Sequence, residues 1–436
     1  MAGSASSPAE AQATKALLER RSKVLSATYR HFYRSPVTLV RGSDVWLYDA
    51  DGRAYLDVYN NVACIGHSHP AVVGAIARQA AILNTHTRYL HEAILDYSDR
   101  LLATMPADIE NLVFTCTGSE ANDLAYRIAT AVTGNAGVIV TENAYHGGTA
   151  AVASFSPSLG GPLAPFVRAI APPSSAAADG GARFTQDVEE AVADLSSAGL
   201  APAMLIVDTI FSSDGILADP PGFLKPAVDL VRRAGGLFVA DEVQPGFGRI
   251  GPAFWGFARH DCLPDLVTMG KPMGNGHPVA ALAGRRELLD AFGRKVRYFN
   301  TFGGNPVSIA AANQVLDVIE QSDLATKAET VGEYLIERLN QVASRCPQLG
   351  PVRGAGLFLG IDVVDSRGKP DGPGAALIIE QLRDRAVLIG SAGNAGHVLK
   401  IRPPLTFKRE HAALLVETLA SVLAVGAGGT SAQLTP

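Results

Sequence analysis

The sequence predicts an α/β fold: a large domain on a mainly parallel central sheet, joined to a small α+β domain. Apolar runs of strand length recur at Leu112–Cys116, Gly137–Thr141, Met204–Asp208, Leu237–Asp241, Leu266–Met269 and Val279–Ala283. Helical stretches such as Glu120–Val132, Asp187–Ala198 and Leu224–Ala234 lie between most of them. That alternation produces a parallel sheet covered on both faces. After Pro306 the pattern changes to long helices and short strands. With 436 residues, 47% hydrophobic and 18% charged, the chain can bury a sizeable core and form one large and one small domain.

In chain order, residues 1–14 are expected to be flexible and Ala16–Leu25 helical. Pro36–Leu39 and Val45–Tyr48 alternate around Arg41–Asp44, a hairpin signal. A turn at Asp49–Gly52 and a strand at Ala54–Val58 follow. This antiparallel start is expected to join the small domain as residues 1–59. The loop Tyr59–Pro70, rich in Asn, Gly and His, reads as a binding loop, and Pro70 opens a helix to Gln79. The large domain is expected over 60–306, with a loop or surface insertion at Ala171–Ala182. The small domain is expected over 307–425. Its elements are a helix from after Pro306 to about Gln321, a helix from about Leu324 to Arg345, strands Val352–Gly354 and Leu357–Asp362, helix Ala375–Arg385, strands Val387–Ile389 and Val398–Ile401, and a helix from about Arg409 to Val425. Residues 426–436 read as a flexible low-complexity tail.

Composition narrows the partners. A net charge of −5 with no long basic block argues against nucleic acid and anionic membrane. No apolar stretch has membrane-spanning length. The N-terminus lacks an apolar signal core, so a cytoplasmic location is expected. Cys64, Cys116, Cys262 and Cys346 form no CxxC pattern and are expected to be buried reduced thiols. His67 and His69 have no third ligand nearby, so no metal site is expected.

Chemistry concentrates where strands end. Leu237–Ala240 delivers Asp241, next to Glu242, and Leu266–Met269 leads through Gly270 to Lys271. Carboxyl ends of parallel strands form the ligand-binding edge of such sheets. Leu112–Cys116 runs into Thr117–Gly118–Ser119–Glu120, where Thr117 and Glu120 form a capping box. Gly118 and Ser119 then lie at a helix N-terminus, which favours an anion such as phosphate. Tyr145 follows another strand and can stack on an aromatic ring. A lysine for a Schiff base, an acid for a pyridine nitrogen, a phosphate cradle and an aromatic lid together point to pyridoxal 5′-phosphate.

The motifs TGSEAND (Thr117–Asp123), AYHG (Ala144–Gly147), ADEVQPGFGR (Ala240–Arg249), TMGKPMGNG (Thr268–Gly276) and TFGGNP (Thr301–Pro306) resemble those of class III aminotransferases. These are pyridoxal-phosphate enzymes of fold type I. The resemblance spans about Arg30 to Val425. It implies that Lys271 carries the Schiff base and shuttles the proton, and that Asp241 pairs with the pyridine nitrogen. It further implies that Tyr145 stacks on the ring with His146 beside it, that Gly118 and Ser119 bind the phosphate, that Val243 packs under the ring, and that Gln244 lies near the ring hydroxyl. Thr301 is implied to reach the phosphate of a neighbouring subunit, hence a homodimer with shared active sites.

Within the family, YNNVACIGHSHP (Tyr59–Pro70), LNTHTRYLHE (Leu83–Glu92), KPMGNGHPVA (Lys271–Ala280) and HVLKIRPPL (His397–Leu405) are similar to the branch of alanine–glyoxylate aminotransferase 2. That branch also contains phospho-lyases acting on ethanolamine phosphate. The implied reaction is amino transfer from an amine or amino acid to a keto acid. The alternative is elimination of phosphate from an amino-alkyl phosphate. Many carboxylate-binding members carry arginine three residues before the first proline of PPL; here that position is Lys400, with Arg402 beside the prolines. Lys400, Arg402 and Arg88 are therefore the candidate substrate-binding cations.

Overall fold

The structure is a computed structural model that describes residues 8–173 and 181–428. The N-terminal segment holds α1 (Pro8–Val24), β1 (Leu39–Ser43), β2 (Trp46–Asp49) and β3 (Ala54–Asp57). Helix α1 begins at Pro8, so residues 8–14 are helical rather than flexible. Asp44 closes the β1–β2 hairpin at φ +52°, a left-handed conformation that aspartate tolerates better than most residues.

The central part runs α2 (Pro70–Ala80), α3 (Glu92–Leu102), β4 (Asn111–Thr115), α4 (Gly118–Thr133), β5 (Gly137–Thr141), α5 (Ala150–Ala153), β6 (Val167–Ile170), α6 (Ala182–Ser197), β7 (Pro202–Asp208), α7 (Lys225–Arg233), β8 (Leu237–Asp241), β9 (Leu266–Met269), β10 (Ala280–Gly284) and α8 (Arg286–Lys295). Strands β4 to β10 form one sheet in the order β4-β10-β9-β8-β7-β5-β6. Neighbours from β9 to β6 pair in parallel, whereas β10 is antiparallel to both β9 and β4. Edge strand β6 is absent from the sequence expectation. It has only four residues, VRAI, and Arg168 interrupts the apolar run by which the other strands are read.

Strands β5, β8, β9 and β10 are buried at every position, which explains their continuous apolar runs. Alternate residues still face opposite layers. Val138, Val140, Ile206 and Val239 pack with Leu124, Ala125 and Ile128 of α4, while Ile139, Leu205, Val207, Phe238 and Ala240 join the core on the other side. The period of two places Asp241 on the α4 face with Leu237 and Val239. Register brings Asp208 and Thr268 beside Asp241. It also sets Thr115, at the end of β4, beside Ala280. The starts of α4 and of the Lys271 turn thus share one sheet edge.

The C-terminal part comprises α9 (Pro306–Gln321), α10 (Leu324–Ala343), β11 (Leu349–Ala355), β12 (Phe358–Val363), α11 (Gly372–Asp384), β13 (Val387–Leu388), β14 (Gly390–Ala392), β15 (Val398–Ile401) and α12 (Arg409–Gly428). Strands β11-β12-β15-β14 form an antiparallel sheet, and β13 pairs in parallel with β3. Helix α12 continues to Gly428, past the expected end at Val425. Residues 429–436 of the expected tail, 174–180 of the expected insertion and 1–7 lie outside the described residues. No helix among the described residues is long and apolar enough to cross a membrane. All four cysteines are free; Cys64 and Cys262 are buried, but Cys116 and Cys346 are only half-buried. Cys116 lies where β4 opens towards the cavity described next.

Candidate active site

A cavity of about 320 Å³ sits at the shared edge, lined by Gly118, Ser119, Tyr145, Asp241, Val243 and Lys271 among others. Asp241 is buried on the α4 face. Its Oδ2 accepts hydrogen bonds from Asn122 Nδ2 at 2.9 Å and His146 Nδ1 at 2.7 Å. Its Oδ1 accepts from the Val243 N–H at 3.1 Å and has capacity for a further donor. His146 Nε2 is buried without a partner among the described residues.

The start of α4 is built as an anion cradle. The capping box forms as the spacing predicts: Thr117 Oγ1 accepts from the Glu120 N–H, and Glu120 Oε2 accepts from the Thr117 N–H. The Ala121 N–H donates to Thr117 O. The N–H groups of Gly118 and Ser119 stay free of protein partners among the described residues, which suits a phosphate. A Cβ at Gly118 would stand 2.9 Å from Val243 Cγ2, so glycine keeps this edge open. Gly147, at φ +140°, brings the segment after His146 against Ser119, where a Cβ would meet Ser119 Oγ at 2.5 Å. Ser119 Oγ accepts from the Gly148 N–H.

Lys271 opens a short 3-10 turn, Lys271–Gly274, directly after β9 and Gly270. Burial lowers its proton affinity below that of an ordinary lysine; the Arg402 charge acts the same way, and Asp241 and Asp208 oppose. A lysine that gives up its proton more readily can act as nucleophile and base. Tyr145 is 43% exposed and lines the cavity. These residues fit pyridoxal phosphate: free N–H groups for the phosphate, an aromatic face for the ring, an acid for its nitrogen and an amine for its aldehyde.

The remaining candidates are placed as follows. Gln244 lines the cavity, and its Oε1 accepts from Asn61 Nδ2 at 2.7 Å and Arg402 Nη1 at 2.6 Å. Lys400 and Arg402 are buried and do not line the cavity. Lys400 Nζ donates to Ser212 O at 3.0 Å. Arg88 is exposed and lies over the Phe299 ring at 3.9 Å, near a separate hollow lined by His86, Tyr89 and Asn300. Thr301 is exposed, beside Phe302. The structure thus gathers Gly118, Ser119, Tyr145, His146, Asp241, Val243, Gln244 and Lys271 around one cavity. Arg88, Lys400, Arg402 and Thr301 stand outside its lining.

Sequence reasoning passed over Asn122. It stands on the apolar face of α4 among Ala121, Leu124 and Ala125, 1% exposed. An amide on a core-facing position is the signal that could have found it, because a buried polar group needs partners. Its Nδ2 donates to Asp241 Oδ2 and to His146 O at 2.7 Å, and its Oδ1 accepts from Thr268 Oγ1 at 2.6 Å. Asn122→Ala is expected to cost about 1–3 kcal/mol of stability, read by denaturant unfolding, and to speed loss of bound cofactor. An unchanged unfolding midpoint would contradict this role.

Glu242 points the other way and is structural. It accepts from the N–H groups of Gly256 at 2.7 Å and Phe257 at 2.9 Å and from Thr209 Oγ1 at 2.9 Å. Burial pushes its carboxyl from 4.5 up to about 8, against the pull of these donors. Between those values the unfolded chain has released the proton that the folded chain still holds. Stability from this group therefore falls as pH rises through the window and levels off above about 8. Glu242→Gln is expected to flatten that slope in unfolding curves taken across the window; parallel slopes in the two proteins would refute it.

Comparison with known proteins places this geometry. Residues 28–423 match the family described as Aminotransferase class-III. The chain is 38% identical to the alanine–glyoxylate aminotransferase 2-like protein of Drosophila melanogaster, covering 95% of this chain and 90% of that protein. It is 32% identical to mitochondrial alanine–glyoxylate aminotransferase 2 of Homo sapiens, covering 93% and 86%. A solved phospholyase from Arthrobacter in complex with phosphoethanolamine superposes with a TM-score of 0.90 at 45% identity, over 94% of this chain and 99% of that one. The chain belongs to the class III aminotransferase family. It is an enzyme of fold type I, with pyridoxal 5′-phosphate as cofactor.

Proposed function

We propose that the chain moves an amino group from a small amine or amino acid to a keto acid. One observation carries this reading: Lys271, Asp241 and the free N–H groups of α4 meet at one cavity. Gly118 and Ser119 would hold the cofactor phosphate, Tyr145 and Val243 its ring, Gln244 its hydroxyl and Asp241 its nitrogen. When bound, the cofactor supplies an electron sink for the carbon beside the substrate nitrogen. Lys271 removes the proton from that carbon and hands it back at the end of the half-reaction. Asp241, fixed by Asn122 and His146, keeps a proton on the ring nitrogen.

A second reading, elimination of phosphate from an amino-alkyl phosphate, is favoured by a specific observation. Among the described residues no arginine lines the cavity, and Lys400, at the position of the usual carboxylate clamp, is withdrawn onto Ser212 O. The phospholyase that is 45% identical supports the same reading. Lys271 would remove the same proton, and phosphate would leave with the electrons of its C–O bond.

The test is to mix the holoenzyme with amino acids and with ethanolamine phosphate, without keto acid. Amino transfer predicts one turnover with loss of the visible cofactor band. Repeated phosphate release with the band retained overturns it in favour of elimination. No spectral response to any amine overturns both.

The division into 60–306 and a small domain of 1–59 with 307–425 belongs to the same proposal, supported by the β3–β13 pairing. So does a homodimer in which Thr301 reaches the partner's site. Its support is a run of exposed apolar side chains, including Ile82, Leu90, Leu95 and Phe302, of the kind that marks protein interfaces. Free cysteines suit a reducing compartment such as the cytoplasm.

A further inference from the structure

Residues 209–217, which follow β7, do not line the cavity. They connect the C-terminal sheet to the loop that carries Tyr145 and His146. On the sheet side, Ile210 and Ile216 pack with Ala355, Phe358 and Val398 in a cluster of their own. Backbone groups strengthen this face. Lys400 Nζ donates to Ser212 O at 3.0 Å, the Gly393 N–H to Ser213 O at 3.0 Å, and Arg353 Nε to Gly215 O at 2.9 Å and Ile216 O at 3.1 Å. Arg353 is itself held by both carboxylate oxygens of Asp362. Phe211 and Ile216 take φ values of +52° and +61°. That conformation is strained for bulky and β-branched residues, and it persists only where the surroundings impose it.

On the other side the segment offers Asp214. Its Oδ2 accepts from Thr141 Oγ1 at 2.7 Å, and its Oδ1 accepts from the Asn143 N–H at 3.2 Å. Thr141 ends β5, and Asn143 stands two residues before Tyr145. The later part of the same loop is held separately, by Ser156 Oγ on the His146 N–H and Ser119 Oγ on the Gly148 N–H. The Tyr145 ring makes no hydrogen bond among the described residues, so its place depends on how this backbone is held. Asp214 is faced by Asp208 at the end of β7, His146 on the Tyr145 loop and Lys400 on β15, and Arg353 of β11 holds the carbonyl of the next residue. Burial pushes its carboxyl from 3.8 up to about 6, against the pull of Thr141 and Asn143. Ionised, it accepts from both donors; protonated, it gives up acceptor capacity.

We propose that Asp214 is a positioning residue for the cofactor ring: it ties the Tyr145 loop to residues 209–217 and, through them, to the C-terminal sheet. The inference rests on Tyr145 lying against that ring, as proposed above. It is the same for amino transfer and for elimination, which share the cofactor.

The test follows the visible circular dichroism of the holoenzyme and the rate at which it releases cofactor. Tyr145→Ala is expected to change the dichroism; no change overturns the placement of Tyr145, and the inference with it. Asp214→Ala is expected to change the dichroism in the same direction and to release cofactor about tenfold faster. Its kcat is expected to fall by about tenfold with KM nearly unchanged, and its absorbance maximum to stay, because Lys271 is untouched. Asp214→Glu, which keeps the carboxylate, is expected to recover part of each effect. The wild type is expected to release cofactor faster as pH falls through about 6, where Asp214 takes up its proton; in Asp214→Asn that step is absent. Arg353→Met is expected to speed release in the wild-type background and to add nothing to Asp214→Ala, because both cut the same tie. An altered Tyr145→Ala beside an Asp214→Ala that matches the wild type overturns the inference alone. So does an equal pH step in wild type and Asp214→Asn, or additive effects of the Arg353 and Asp214 substitutions.

Discussion

Lys271→Ala is expected to lower turnover by on the order of 10⁴-fold and to abolish the visible band of lysine-bound cofactor. The reason is position as well as residue type. Gly270 ends β9 and the 3-10 turn starts at once, so the amine is carried by rigid backbone at the cavity wall. No hydrogen bond holds the Lys271 side chain among the described residues, and burial with the Arg402 charge lowers its proton affinity. The amine is therefore free of its proton at lower pH than an ordinary lysine. The fold is expected to survive, because removing the side chain leaves no hydrogen-bond partner stranded. A variant within tenfold of wild-type turnover would remove Lys271 from the chemistry.

Asp241→Asn is expected to lower kcat by about 10²- to 10³-fold and to cost about 1 kcal/mol of stability, because the amide NH2 takes the place of Oδ1, the acceptor of the Val243 N–H. The amide matches the carboxylate in shape, and its oxygen can still accept from Asn122 and His146, the partners of Oδ2. What is lost is the negative charge that keeps the ring nitrogen protonated. Glu242 is the internal control. It is the next residue, equally buried, yet its bonds go to Gly256, Phe257 and Thr209. Glu242→Gln is therefore expected to retain turnover within about tenfold, and a loss as large as that of Asp241→Asn would mean that the wrong acid has been assigned.

The choice between those two acids shows what could be read from the chain. The strand Leu237–Asp241 was legible because it is buried on both faces and apolar throughout. That same uniformity hid which face is which. Only the packing of Val239 with α4 and of Phe238 and Ala240 with the opposite layer sends Asp241 one way and Glu242 the other. The capping box at Thr117 was legible because it is local: both partners lie within one turn. Asn122 was not, since its partners Asp241 and Thr268 come from strands far along the chain. The same holds for Lys400 and Arg402. Nothing near them in sequence reveals that one meets Ser212 and the other Gln244. Strand β6 was missed for a different reason, its short length and its arginine at a sheet edge.

The central claim is that Lys271 is the residue to which the cofactor attaches. Borohydride reduction of the holoenzyme, proteolysis and mass spectrometry test it without reference to turnover or substrate. The expected result is a phosphopyridoxyl group on the peptide containing Lys271 and on no other lysine. Its appearance on Lys400 or any other lysine, with Lys271 unmodified, would contradict the account.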